Sequence, residues 1–161
     1  GCEAEKFQLL VDNTYSDVTT RDRVRHSGGW MVPRNYTVIG VQRNENSKLW
    51  RKYAIRRAEL KEEKEACDLH PEVAAEVTWD GVPAEYGLFD DVETSKVWSA
   101  LSGSDVLEGS VNEWYLFHGT SASAAQNICS TDFKMRLAGS QTGTLYGRGS
   151  YFAESVTKAD E

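Results

Sequence analysis

The sequence predicts an α+β domain. Three observations predict it. Tyr36 to Arg43 (Y-T-V-I-G-V-Q-R) alternates and is rich in β-branched residues, the pattern of a half-buried strand. The stretch from Lys48 to Ala66 then repeats apolar residues at helical spacing. Late in the chain, Trp114–Phe117 and Gly149–Ala153 read as short strands on either side of an amphipathic helix. With 161 residues, 40% hydrophobic and 27% charged, the chain is long enough to bury a core and ordinary enough in composition to be one domain.

Taken in order, Phe7–Val11 is a short apolar run, and Asp12–Ser16 supplies turn and cap residues. Thr19–His26 is dense in charge, Ser27-Gly28-Gly29 is a flexible break, and Val32-Pro33 forces an extended entry into the first strand. Asn44–Ser47 is a cap-rich corner before the long helix. On that helix Leu49, Trp50, Tyr53, Ala54, Ala58 and Leu60 give an apolar face, with Trp50 and Tyr53 expected as core anchors. Arg56–Glu59 and Lys61–Glu65 are spaced to pair on its wet face, beside the basic cluster of Arg51, Lys52, Arg56 and Arg57.

Asp68-Leu69-His70-Pro71 ends the helix, and Pro71–Asp91 holds prolines, an Asp80-Gly81 turn and many acids, as a loop or insertion does. Glu93–Leu101 fits a short helix, and Ser102–Ser110 a hinge-like linker. Thr120 or Ser121 is placed to cap a helix running to about Cys129, with Ala124, Ala125 and Ile128 inward. Thr131–Thr144 reads as a loop carrying Lys134 and Arg136, and Ser155 or Thr157 opens a last helix. Gly1 and the closing Asp160-Glu161 have the look of cut ends, so a longer parent chain is expected.

The bulk numbers exclude several functions. A net charge of −7 opposes binding to phosphate backbones, so nucleic acid is not the expected partner. The three cysteines, Cys2, Cys67 and Cys129, are odd in number and widely spaced, which suits a reducing, intracellular compartment, cytoplasmic or nuclear. Cys67-x-x-His70 is half of a zinc pattern without its second half, so no metal is expected. No apolar run approaches the ~20 residues of a membrane span.

The chemistry concentrates between Trp114 and Glu161. The run W-Y-L-F ends on His118, followed at once by Gly119 and Thr120. A core histidine is the ordinary reading of a lone imidazole. Gly119 argues for more, because an open backbone lets its N–H and C=O grip a planar amide in both directions. Tyr151, on a short strand after Tyr146-Gly147-Arg148-Gly149, could stack on a flat heterocycle. That glycine pair precedes its strand and lacks a third glycine, which sets aside a dinucleotide-binding dehydrogenase.

These residues carry a resemblance. The H-G-T after an apolar strand, with Y-G-R-G-S-Y-F-A-E-S and K-A-D-E behind it, resembles the poly(ADP-ribose) polymerase catalytic domain of the diphtheria-toxin-like ADP-ribosyltransferases. Upstream, Val38–Asn46 and Leu49-Trp50-Arg51-Lys52-Tyr53 resemble the family's first strand and following helix; the likeness runs from Phe7 to Glu161, with about 68–110 unaccounted for. It implies an ADP-ribosyltransferase fold, two packed, mostly antiparallel sheets flanked by helices and incomplete at the C-terminus, over 1–161, with 68–110 a loop or insertion. It implies NAD as co-substrate, cleavage of the nicotinamide–ribose bond, and transfer of ADP-ribose to an acceptor such as a protein. His118 would bond the adenosine-side ribose 2′-hydroxyl, Gly119 the carboxamide, and Tyr151 would stack on nicotinamide. Thr120 and Arg136 would lie along the adenosine and pyrophosphate, with Tyr146, Phe152 and Ala159 also lining the site. Where the family often has a carboxamide-binding serine, this chain has Ala159, and the family's third catalytic position falls beyond Glu161. An NAD-holding or protein-binding module without transfer is the alternative.

Overall fold

The computed structural model describes residues 3–18, 32–69, 92–102, 107–137, 147 and 149–160. Within them run five α-helices: α1 (Glu3–Asn13), α2 (Ser47–Leu69), α3 (Glu93–Ser102), α4 (Ala122–Thr131) and α5 (Val156–Ala159). Two single 3-10 turns, Gly109–Val111 and Met135–Leu137, lie between them.

The apolar run at Phe7 belongs to α1, where helical spacing aims it at α3. Leu10 is buried, and the Phe7 ring lies 4.8 Å from that of Trp98, which in turn meets Tyr115 at 6.0 Å. Thr14 closes the helix by donating its hydroxyl to the Leu10 carbonyl at 2.8 Å, so the predicted cap region is where α1 ends.

The first turn of α3 is fastened to the two motif segments. Thr94 is 1% exposed and donates its hydroxyl to the Tyr115 carbonyl. The Tyr115 N–H returns a bond to Ser95 Oγ at 2.8 Å. The Glu93 N–H, one of the donors a helix start leaves unpaired, goes to the Glu154 carboxylate at 2.9 Å. Glu154, in the aromatic motif, therefore serves as a cap for a helix about sixty residues upstream.

Helix α2 appears where the sequence predicts it, and Asn46 explains its start. The Asn46 Oδ1 accepts from the N–H groups of Lys48 (3.1 Å) and Leu49 (3.2 Å), while its Nδ2 donates to the carbonyls of Cys129 (3.0 Å) and Ser130 (3.2 Å). Asn44 adds a third bond to the Cys129 carbonyl at 3.1 Å. One side chain thus caps the N-terminus of α2 and receives the orphan carbonyls at the end of α4.

The apolar face expected on α2 is corrected by the structure. Trp50 is 65% and Tyr53 42% exposed, their rings stacked on each other at 5.3 Å. The reason is what the helix meets. Its neighbour among the described residues is the Gly109–Val111 turn, and the contact is polar. Arg57 pairs with Glu113 at 3.1 Å, Lys61 with Glu108 at 2.7 Å, and the Tyr53 hydroxyl donates to Glu113. Lys61 is thereby taken from the expected Glu65 partner, whereas Arg56–Glu59 forms at 3.1 Å and extends to Glu63. Burial first, and then the bond to Glu113, pushes the Tyr53 phenol up to about 12.

Of the expected strands, the described residues show little pairing. Sheet pairing among the described residues is a single antiparallel bridge, Phe117 with Ala153. Residues 35–46 run without helix, yet Gln8 occupies one edge of the segment in place of a strand, donating to the Tyr36 carbonyl (3.0 Å) and accepting from the Val38 N–H (2.9 Å). Ile39 is 100% exposed. Trp114–Phe117, expected to be a buried strand, is half-buried at most positions, because only Phe117 acquires a partner strand residue. Of the predicted loop or insertion, 70–91 and 103–106 lie outside the described residues; its helix is α3. The side chain of Cys67, and His70, also lie outside them. No helix among the described residues is long and apolar enough to cross a membrane.

Two outcomes follow. Asn46→Ala should lower the unfolding free energy by about 1–2 kcal/mol, because it removes a cap of α2 and the donor to the Ser130 carbonyl; chemical denaturation reads this. Glu108 is held at about 2, below its usual 4.5, chiefly by Lys61 and then by the Ser110 hydroxyl. Its contribution to docking α2 is complete above pH 4.5 and is lost as pH falls through about 2. Hydrogen exchange over the 109–111 turn should accelerate in that window, and Glu108→Gln should remove the pH dependence.

Candidate functional site

The two motifs meet through backbone. The Phe117 N–H donates to the Ala153 carbonyl at 2.8 Å, and the Ala153 N–H donates to the Phe117 carbonyl at 3.0 Å. This reciprocal pair sets the register. The next residues across, His118 and Phe152, form a pair whose side chains share one face and stand close. Their rings are 5.3 Å apart.

His118 is half-buried and held on two sides. Its Nδ1 donates to the Tyr151 carbonyl at 2.8 Å, since that oxygen can only accept. In the tautomer that this bond selects, Nε2 carries the lone pair and can accept a hydrogen bond from a hydroxyl. Phe133 meets the imidazole edge-on at 5.0 Å and Phe152 at 5.3 Å, completing a three-ring cluster. The sequence singled out His118 and Phe152 but not Phe133. Asp132 brings it in: with φ of 90° it turns the chain sharply after α4, its N–H still bonded to the Ile128 carbonyl at 2.8 Å. The available signal was an aromatic residue directly after a helix-ending aspartate.

Gly119 is needed for a reason the sequence did not show. A Cβ placed on it would lie 1.7 Å from the carbonyl oxygen of Ala159. The last turn of α5 therefore presses its backbone onto Gly119, and no side chain fits there. Ala159 faces the site with its carbonyl. Among the described residues neither the N–H nor the C=O of Gly119 has a hydrogen-bond partner.

Tyr151 is exposed, with its hydroxyl donating to the Gly147 carbonyl at 2.5 Å. Gly147 adopts φ of 96°, which a side chain resists, so this glycine is required by the turn that anchors the tyrosine. Ser121, with its Oγ accepting from the Ala124 N–H at 3.3 Å, is the cap of α4, and this leaves Thr120 exposed beside Gly119. Ala124, Ala125 and Ile128 are the half-buried residues of that helix, as the spacing predicts. Arg136 sits exposed on the Met135–Leu137 turn, three residues past Phe133. Tyr146 lies outside the described residues. The structure thus brings His118, Gly119, Tyr151, Phe152 and Ala159 together, and leaves Thr120 and Arg136 on exposed backbone to either side.

Residues 25–161 match the family described as poly(ADP-ribose) polymerase catalytic domain. Over 46 residues the chain is 54% identical to protein mono-ADP-ribosyltransferase PARP12 of Mus musculus and 52% identical to the Homo sapiens protein of that name, covering 29% of this chain and 6% of each relative. Over 45 residues it is 50% identical to protein mono-ADP-ribosyltransferase PARP10 of Mus musculus, covering 28% of this chain and 5% of that one. The chain therefore matches only a small part of these curated relatives' length. No solved structure matches it.

Gly119→Ala should force α5 off the site or lower stability by ~1–3 kcal/mol, because the methyl group meets backbone that cannot rotate away. Thermal unfolding reads the loss, and an unchanged Tm would contradict the close approach.

Proposed function

The chain belongs to the poly(ADP-ribose) polymerase catalytic-domain family, and from that premise we propose that it is an NAD-dependent ADP-ribosyltransferase, a pentosyltransferase that moves one ADP-ribose to a protein acceptor. The observation that carries this reading is the His118–Tyr151 bond beside a Gly119 backbone without a hydrogen-bond partner among the described residues: two motifs far apart in sequence meet at one place.

The proposed roles follow from the groups present. His118 Nε2 accepts the 2′-hydroxyl of the adenosine-side ribose, its tautomer fixed by the Tyr151 carbonyl. The Gly119 N–H and C=O take the two ends of the carboxamide. The exposed ring of Tyr151 stacks on nicotinamide, held by its bond to Gly147. Phe152 and Phe133 keep the imidazole plane in place. Thr120 and Arg136 lie toward the adenosine and pyrophosphate, and Tyr146 lines the nicotinamide end. The bond that breaks is the one between nicotinamide and ribose, its electron pair leaving with nicotinamide. The bond that forms joins the ribose carbon to the acceptor, whose proton is released to solvent. A site of this kind acts by positioning and by favouring ribosyl charge.

The finer fold belongs to this proposal as well. Two packed sheets flanked by helices, with 68–110 as an insertion, would give the open edge of Thr37–Arg43 a partner strand and cover Ile39. The names of the relatives support transfer of a single unit. The scattered cysteines, with Cys129 free and exposed, support a reducing compartment. The second reading, an NAD-holding module without transfer, is favoured by one observation: Ala159 offers no hydroxyl to the carboxamide.

Incubation with NAD labelled in its adenosine half should put label on protein. His118→Ala and Tyr151→Ala should each lower the labelling rate by about 100-fold or more. Labelling that survives both changes would sink the assignment, and NAD binding without any labelling would favour the module.

A further inference from the structure

The carboxamide end of the cleft depends on where α5 stands, and α5 is only four residues long, too short to hold itself. Its position comes from the N-terminal part of the chain. Thr157 is 3% exposed, and its hydroxyl oxygen accepts the Ser16 N–H at 2.9 Å, across 141 residues of sequence. Asp160, at the end of the helix, accepts from the Tyr36 hydroxyl at 3.0 Å. Tyr36 is itself fixed, because its carbonyl takes a bond from Gln8 on α1 and its ring packs 6.4 Å from Tyr15. Tyr15, in turn, donates its hydroxyl to the Pro33 carbonyl at 2.9 Å. Between these two tethers lies Ala159, whose carbonyl touches Gly119.

We infer that Thr157 and Tyr36 are positioning residues: by tying α5 to the N-terminal helix and its following segment, they set the separation between the Ala159 carbonyl and the Gly119 backbone, and with it the width of the carboxamide pocket. Neither touches the reacting atoms. The inference rests on the proposed role of Gly119 for its ligand, and on geometry alone for the coupling. Gly119 has no Cβ to act as a spacer, so the gap follows the position of α5. The tethers fix it from a distance.

The test uses the full chain and three probes: nicotinamide, NAD and ADP-ribose, which lacks the carboxamide end. Tyr36→Phe removes the bond to Asp160 and keeps the ring. Thr157→Val removes the acceptor for Ser16 and keeps the shape, and Thr157→Ser restores it. Nicotinamide and NAD affinities should each fall about tenfold in the first two variants, the scale of one lost hydrogen bond, while ADP-ribose affinity stays within about twofold. Thr157→Ser should recover NAD binding. The Gly119 backbone amide should also change its hydrogen-exchange rate in Tyr36→Phe without any ligand. Equal losses for NAD and ADP-ribose, or a Gly119 amide that exchanges at the unmodified rate, would overturn the inference. If the unmodified chain binds none of the probes, the functional assignment falls, while the Gly119 amide still decides whether the tethers position α5.

Discussion

Two backbone hydrogen bonds between Phe117 and Ala153 fix most of what surrounds His118 and Gly119. They put His118 opposite Phe152, which places the imidazole within reach of the Tyr151 carbonyl. They bring Glu154 to the start of α3 and carry α5 onto Gly119. An antiparallel pair has a two-residue side-chain period, so a slip of one residue would turn His118 to the opposite face. The three-ring cluster of His118, Phe133 and Phe152 opposes such a slip, since the rings meet only in this register.

Polar contacts, more than apolar area, join the parts described. Among the described residues the buried apolar ones are Leu10 and Val92, and three further buried positions are threonines: Thr14, Thr94 and Thr157. Each threonine hydroxyl is hydrogen-bonded to a backbone group, which makes its burial tolerable. Helix α2 follows the same logic. It is joined to the rest by Asn46 at one end and by Arg57, Lys61 and Tyr53 along its length. Glu113 is the centre of that contact, accepting from Tyr53, pairing with Arg57 and capturing the Glu108 N–H at 2.6 Å. Losing one member of such a set leaves the others with charge and no partner, so its cost exceeds that of an exposed pair.

Much of the chemistry was legible in the sequence because it depends on residue type and short spacing. The H-G-T and Y-F-A runs, the Ser121 cap of α4, the inward Ala124, Ala125 and Ile128, and the extent of α2 all follow local rules. Other features were not legible. Trp50 and Tyr53 have the spacing of core residues, yet the face of Tyr53, Arg57 and Lys61 meets its neighbour through polar groups, and helical periodicity does not say what a face will meet. Lys61 could have paired with Glu65 within its own helix; Glu108 lies closer and is itself partly shielded.

The sequence by itself determined the helices α2, α3 and α4, the two motifs and the family they belong to, because these rest on side-chain chemistry and on spacings of a few residues. Only the tertiary structure decided that Gly119 is open to admit the Ala159 carbonyl, that Phe133 joins His118, that Glu154 caps α3 and that α5 hangs from Ser16 and Tyr36. Each of these is a contact between residues far apart along the chain. Such contacts depend on where backbone atoms come to rest in space, a quantity that no local pattern of residue types encodes.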